Sequence, residues 1–355
     1  MALRYLSVAG LRNLAEARLD FDAQCNVIVG KNAAGKTSLL EAIHVLARAR
    51  SFRATRLDRV RRDGRAALRV HGEVRDRMQS HRIGVGRDDD GTRVRVDGAD
   101  ARGLSELARL VPIQVLNTES QRLLQDGPET RRSFMNWTLF HVEHDFHATW
   151  RRFDRALRQR NAALREGQDR LAASLEPEFV ASGESIDGMR RRMLDALESR
   201  VQVRLDEWLG DVSVRFRYRQ GWARDKGLTE ALADQKMSEQ TMGYTMVGPQ
   251  RAELQILAEG MDARDRLSRG QQKVLVIAML LAQADVIAAT DGPSPVFLVD
   301  DLAAELDAGY REGVVTSLLG GTGQCFFTAI DADTLPVSGG RTFHVEQGRV
   351  TEMIY

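Results

Sequence analysis

Apolar and polar residues alternate in two short runs near the start of the chain, Leu3–Val8 and Ala17–Phe21. A period of two over that length predicts an antiparallel hairpin. Asn26-Val27-Ile28-Val29 reads as a buried strand, and Ser38–Ala49 carries Leu39, Leu40, Ile43 and Leu46 at helical spacing. Alternation returns over residues 66–98 and predicts several antiparallel strands, with Asp89-Asp90-Gly91 as a turn. From about Glu119 to Trp208 the pattern is mainly helical and charged. There Leu157, Leu164 and Leu171 fall at heptad spacing, which predicts a long exposed helix hairpin. Residues 211–219 read as a strand, and apolar strands recur at 296–299 and 324–330. This layout predicts an α/β fold whose parallel sheet is split by an α-helical insertion. Residues 1–118 together with 241–355 would form one domain, and 119–240 the mainly helical insertion.

Composition and charge sharpen the picture. Hydrophobic residues make up 43% of the 355 positions, enough for a real core and too many for wholesale disorder. The net charge of +1 advertises no polyanion globally. Locally, nine arginines lie between Arg48 and Arg69 against two acids, Asp58 and Asp63. Such a cluster can neutralise phosphates, although a plain solvated face is nearly as common. Cys25 and Cys325 each abut an apolar run and read as small buried hydrophobes. The N-terminus lacks the pattern of a signal peptide, and the longest apolar run, 274–289, is interrupted by Gln283 and Asp285. A cytoplasmic chain without a membrane partner is expected.

The strongest chemical signal is Gly30-Lys31-Asn32-Ala33-Ala34-Gly35-Lys36-Thr37, which fits G-x-x-x-x-G-K-[ST] without mismatch between a strand and a helix. Glycines let the backbone wrap a phosphate, and the amides at the helix start, Ser38 included, face it. Lys36 would reach the β- and γ-phosphates of ATP, and the Thr37 hydroxyl would hold Mg²⁺. Val296-Phe297-Leu298-Val299-Asp300-Asp301 ends a buried strand in two carboxylates. Asp300 would enter the Mg²⁺ shell and Asp301 would orient the attacking water.

Leu267-Ser268-Arg269-Gly270-Gln271-Gln272-Lys273 resembles the L-S-x-G-Q signature of ABC-type ATPases and lies just before an apolar helix. Ser268, Gly270 and Gln271 would then sit at a helix N-terminus, an anion site. The resemblance implies that these residues meet the γ-phosphate of a partner's ATP, so that two chains close over two nucleotides. Ala304-Glu305-Leu306-Asp307 resembles the D-loop of the same superfamily.

Thr37 and Leu267 stand 230 positions apart, more than a transporter ATPase places there, and no C-x-x-C zinc hook is present. Over essentially its whole length the chain is similar to the RecF family of SMC-like heads. Leu11-Arg12-Asn13-Leu14, Gly127-Pro128 with Arg131 and Arg132, Gln159-Arg160-Asn161, Gly248-Pro249-Gln250-Arg251-Ala252-Glu253-Leu254 and Phe343-His344-Val345-Glu346-Gln347-Gly348 carry that resemblance. It implies an ABC/SMC-type P-loop ATPase head with a helical insertion and weak DNA-stimulated ATPase activity. It also implies an ATP-dependent homodimer on single-stranded, gapped or duplex-junction DNA, working with RecO and RecR in repair, replication restart and SOS induction. Arg12 would touch phosphate, and Gln114 would be the Mg²⁺-sensing Q-loop residue, with Gln121 competing. The Arg48–Arg69 cluster, and Arg151, Arg152, Arg155, Arg158 and Arg160, are the candidate DNA contacts, the second set having i,i+4 pairing as its alternative. Departures are Ala304 where RecF carries Ser, Asp301 where transporters use Glu, and Thr328 in the region of a switch His. The alternatives are an SMC-type head serving as scaffold for another enzyme, and an ABC transporter ATPase subunit.

Overall fold

The computed structural model describes residues 1–75, 79–290, 292–302 and 306–353. Ala304 and Glu305, half of the expected D-loop, lie outside the described residues. Two compact units emerge, residues 1–120 with 287–355, and residues 121–286.

In the first unit, β1 (Ala2–Ala9) and β2 (Ala17–Asp20) form the expected hairpin. They join β4 (Leu68–Arg75), β5 (Ser80–Asp88), β6 (Gly91–Val96) and β7 (Ala99–Asp100) in an antiparallel sheet of order β2-β1-β4-β5-β6-β7. Asp88 pairs with Gly91, so the turn falls where its sequence placed it. A second sheet has the order β15-β14-β3-β13-β12-β8. Its strands are β3 (Cys25–Val29), β8 (Ile113–Leu116), β12 (Val296–Val299), β13 (Gln324–Ala329), β14 (Arg341–Glu346) and β15 (Arg349–Met353). All but β15 run parallel, and β3, β12 and β13 are buried at every position, which is why they read as unbroken apolar runs.

Helix α1 (Lys36–Arg48) follows β3, and its Leu39, Leu40, Ile43 and Leu46 join side chains of both sheets in one core. Phe21 meets Phe326 and Phe343 edge-on at 4.9 and 5.4 Å. Gln324, fully buried, ties the sheets together: its side chain bonds both backbone groups of Leu3 and the Asp22 carbonyl. Cys25 and Cys325 are free, buried and directly cross-strand. Burial raises both thiol pKa values, Cys25 to about 12.

The second unit contains α4 (Pro128–Val142), α5 (Phe146–Arg165), α6 (Asp169–Ser174), α7 (Glu176–Leu209), α8 (Leu228–Met242) and α10 (Arg269–Ala288, complete to Val286 within this unit), with the short α3 (Arg122–Gln125) and α9 (Ala263–Arg266). Helix α2 (Leu104–Leu110) belongs to the first unit. A small sheet, β11-β10-β9, comprises β9 (Val214–Arg219), β10 (Glu253–Ala258) and β11 (Met261–Asp262). The second compact unit runs on to Val286, where the Gln283 side chain of α10 bonds the Phe134 carbonyl and the Thr138 hydroxyl of α4.

The heptad of leucines makes no seam. Gly167 ends α5, Leu171 falls on the separate α6 and is 48% exposed, and the buried face of α5 runs through Phe153, Ala156, Arg160 and Ala163. Phe153 stacks on Phe179 of α7 at 5.1 Å. Helix α10 is longer than the apolar run that announced it and is the one described helix long and apolar enough to cross a membrane; 67% of its most apolar window is buried within the protein.

Candidate nucleotide site

Where β3 leaves the sheet, Gly30 takes φ +152°, and a Cβ there would lie 2.3 Å from the Val345 carbonyl oxygen. Gly35 then turns the chain into α1, so that the first amides of the helix face an open cavity of about 960 Å³. Asn32, Ala33, Gly35, Lys36, Thr37 and Ser38 line it, while Ala34 is buried behind them and Lys31 faces solvent. Lys36 is 8% exposed, and its Nζ donates to the carbonyls of Gly30 at 2.7 Å and Lys31 at 3.1 Å. Burial lowers its pKa from the usual lysine value, opposed by Asp301 and Asp300.

Strand β13 lies between β3 and β12, and its last residues organise the acidic side of the cavity. The Thr37 hydroxyl lies 3.1 and 3.0 Å from the two carboxylate oxygens of Asp300. Thr328, fully buried, donates from Oγ1 to Asp300 Oδ1 at 2.7 Å and accepts the Asp301 amide at 2.8 Å. Asp301 takes φ +54°, a left-handed conformation in which it lines the cavity. A hydroxyl and two carboxylate oxygens are hard donors, a set that fits a divalent cation such as Mg²⁺.

The loop is braced from behind. Asn13 Nδ2 donates to the carbonyls of Ala33 and Ala34 at 3.3 Å each, and its Oδ1 accepts Ser38 Oγ at 3.0 Å. The Gly348 amide donates to the Ala34 carbonyl at 2.8 Å; a Cβ on Gly348 would fall 1.9 Å from the Asn13 carbonyl oxygen. The Leu11–Leu14 and Phe343–Gly348 segments therefore share one physical task, holding the phosphate loop.

Arg12 also lines the cavity, but its guanidinium is held bidentate by the buried Glu41 at 2.9 and 3.0 Å and donates to the Arg59 carbonyl at 3.0 Å. Backbone bonds from Arg12 to Val60 and from Arg62 to Gly10 fix the 57–62 segment on this wall. As a result Arg53, Arg59, Arg61 and Arg62 line the cavity, so the arginine cluster is not one outward DNA face. Gln114 is buried in the middle of β8 and does not line the cavity. The strand ends at Leu116, and Asn117 and Thr118 form the wall instead. Gln121 falls in the second unit.

The signature residues open α10. Ser268 Oγ accepts the Gln271 amide at 3.3 Å and Gln271 Oε1 accepts the Ser268 amide at 3.0 Å, a reciprocal capping box. Ser268 and Gly270 are exposed, and a Cβ on Gly270 would meet nothing within 4 Å. The helix start is thus ordered and open.

Of the second arginine set, Arg160 is 2% exposed and ion-paired with Glu239 at 2.7 Å and Glu176 at 3.0 Å, so it is structural. Arg158 pairs with Asp154 at 2.7 Å, four residues earlier, and Arg152 with Glu178 at 3.3 Å.

A phosphate loop after the first strand of a parallel sheet, with a threonine-braced aspartate two strands away, defines a P-loop ATPase head of the SMC type. The model of the RecF/RecN/SMC N terminal domain matches residues 2–349. Proteins named DNA replication and repair protein RecF, from Stutzerimonas stutzeri strain A1501 and Pseudomonas entomophila strain L48, are each 39% identical over 99% of this chain and 98% of their own. The chain belongs to the RecF family. The solved structure of the recombination mediator protein RecF-ATP in the RecFOR pathway has a TM-score of 0.87 at 23% identity, covering 99% of this chain and 98% of that one. An Smc head bound to the C-winged helix domain of ScpA has a TM-score of 0.64 at 14% identity, covering 99% and 98%. Both share the fold.

Proposed function

We propose that this chain is a cytoplasmic ATP-dependent DNA-binding protein of recombinational repair and replication restart, acting with RecO and RecR. Support comes from the family and from solved relatives whose names place them in that pathway. The observation that carries the reading is the contact of Thr37 with both oxygens of Asp300 at the mouth of the phosphate loop.

Lys36 and the loop amides of residues 30–38 would bind the β- and γ-phosphates of ATP, and Arg53, Arg59, Arg61 and Arg62 would add positive charge around them. Thr37 and Asp300 would hold Mg²⁺, which when bound neutralises charge on the β- and γ-oxygens. Asp301 orients the water that attacks the γ-phosphorus, and ADP departs. As the shorter carboxylate, it reaches less far than Glu, so turnover is slow.

Ser268, Gly270 and Gln271 would complete the site of a second copy, reading its γ-phosphate from the open start of α10. In this reading residues 241–286 serve the ATPase although they pack with the helices, and 119–240 are the insertion. ATP closes the dimer on single-stranded, gapped or duplex-junction DNA, and hydrolysis releases it.

The test is phosphate release with and without gapped DNA. Slow release that requires Mg²⁺, rises with DNA and disappears in Asp300→Asn is expected. DNA affinity indifferent to ATP would overturn the reading.

A further inference from the structure

Residues 214–224 read Val-Arg-Phe-Arg-Tyr-Arg-Gln-Gly-Trp-Ala-Arg. On β9 the alternation is clean: Val214 is buried, Phe216 and Tyr218 are half-buried, and Arg215, Arg217 and Arg219 are exposed. Strand β9 is an edge of its sheet, paired among the described residues with β10 alone. Arg191, Arg215, Arg217 and Arg224 line a groove of about 550 Å³ beside it.

Two of these charges are spent locally. Arg215 pairs with Glu198 at 3.0 Å, and Arg191 with Asp187 at 2.8 Å. Arg217, Arg219 and Arg224 are exposed and form no ion pair among the described residues. Asp195 is the groove's remaining carboxylate. Strands β5 and β6 of the first unit behave differently: their Arg82, Arg87, Arg93 and Arg95 each face Glu73, Asp58, Asp90 or Asp100 within 4 Å. Guarding an edge against strand pairing needs charge, but not charge left unneutralised.

We propose that the β9 edge, through Arg217, Arg219 and Arg224, is a sequence-independent contact for the phosphodiester backbone of DNA. The inference rests on the DNA-binding reading and adds to it a surface remote in sequence from the nucleotide cavity. Alternate residues on a strand stand about 6.7 Å apart, close to the repeat of phosphates along an extended strand. Guanidinium groups grip phosphate oxygens through paired donors. Phe216 and Tyr218 are half-buried at the floor of the same groove, with Arg191 over the Tyr218 ring at 5.5 Å, so the exposed guanidinium groups are what the surface offers first, and these meet backbone phosphates.

The experiment is anisotropy titration of a fluorescein-labelled gapped duplex, across a salt series, with saturating ATP. It compares the wild type, Arg217→Ala/Arg219→Ala/Arg224→Ala and the corresponding triple lysine variant. Each lost phosphate contact lowers the slope of log affinity against log salt by about 0.7–0.9, so the alanine triple should lose about 2 to 3 units of slope. ATP binding and melting temperature should stay at wild-type values, and the lysine triple should keep most of the slope. An unchanged slope in the alanine triple overturns the proposal. So does loss of binding to labelled polyglutamate with DNA affinity intact, which would make the edge a site for an acidic protein segment. So does self-association of the alanine triple with its DNA slope intact, which would make the arginines edge guards. If the wild type itself fails to bind the duplex, the DNA-binding reading falls first.

Discussion

Thr328 donates to Asp300 at 2.7 Å while accepting the amide of Asp301 at 2.8 Å, so one hydroxyl sets the position of both acidic residues that follow β12. Valine has the same shape without the hydroxyl. Thr328→Val would leave the Asp301 amide without its acceptor and Asp300 Oδ1 with one donor fewer, at a cost of about 1–3 kcal/mol. Nucleotide binding should stay within a few-fold of wild type, while steady-state phosphate release falls at least about tenfold, 1.4 kcal/mol of barrier. Thr328→Ser should restore most of the rate, which a loss of packing alone would not explain.

Asn13 braces the phosphate loop through Ala33, Ala34 and Ser38. Removing three modest hydrogen bonds loosens the loop amides more than it unfolds the protein. In Asn13→Ala, the dissociation constant for ATP should rise about 5- to 30-fold, equivalent to about 1–2 kcal/mol. Titration with a fluorescent ATP analogue measures it, with the melting temperature of the nucleotide-free protein as control.

Much of this was legible in the chain and some was not. A run of five buried residues followed by the glycine motif announces β3, its loop and α1 unambiguously, because backbone geometry there tolerates few other residues. Asp300 was legible for the same reason, at the end of four buried apolar positions. Thr328 and Asn13 were not assigned to the site, since their partners are remote in sequence and no local period marks them. Which of the clustered arginines turn toward the cavity was not legible, because charge density does not say which way a loop folds; the bonds from Arg12 to Val60 and from Arg62 to Gly10 decide that. Arg160 is a similar case. Its exposure on a charged helix was expected, yet Glu239 on α8 buries it.

That buried pair gives a stability prediction. Arg160→Ala would leave the fully buried Glu239 without its cation, a loss of about 3–5 kcal/mol. Thermal unfolding of the second unit should move down by roughly 10 °C. Arg160→Ala combined with Glu239→Ala should cost less than Arg160→Ala with Glu239→Asp.

His44 makes stability depend on pH. Its Nδ1 donates to the Arg50 carbonyl at 2.7 Å, and burial lowers its pKa to about 4. The unfolded chain therefore takes up a proton near pH 6.5 that the folded chain refuses until about 4. Stability is complete above pH 6.5 and falls as pH drops through that window, by up to about 2–3 kcal/mol from this group. In denaturant melts at pH 7.0 and 5.0, His44→Gln should lose less stability on acidification than the wild type.

Two copies sharing two nucleotides through the open start of α10 is the arrangement on which the proposed function depends. Solution mass by multi-angle light scattering tests this directly, with and without Mg²⁺-ATP, for the wild type and for Ser268→Arg. The expected result is a monomer that becomes a dimer with ATP, and a variant that binds ATP yet stays monomeric. A wild type that remains monomeric at saturating ATP while gripping DNA, or a Ser268→Arg variant that dimerises normally, would contradict it.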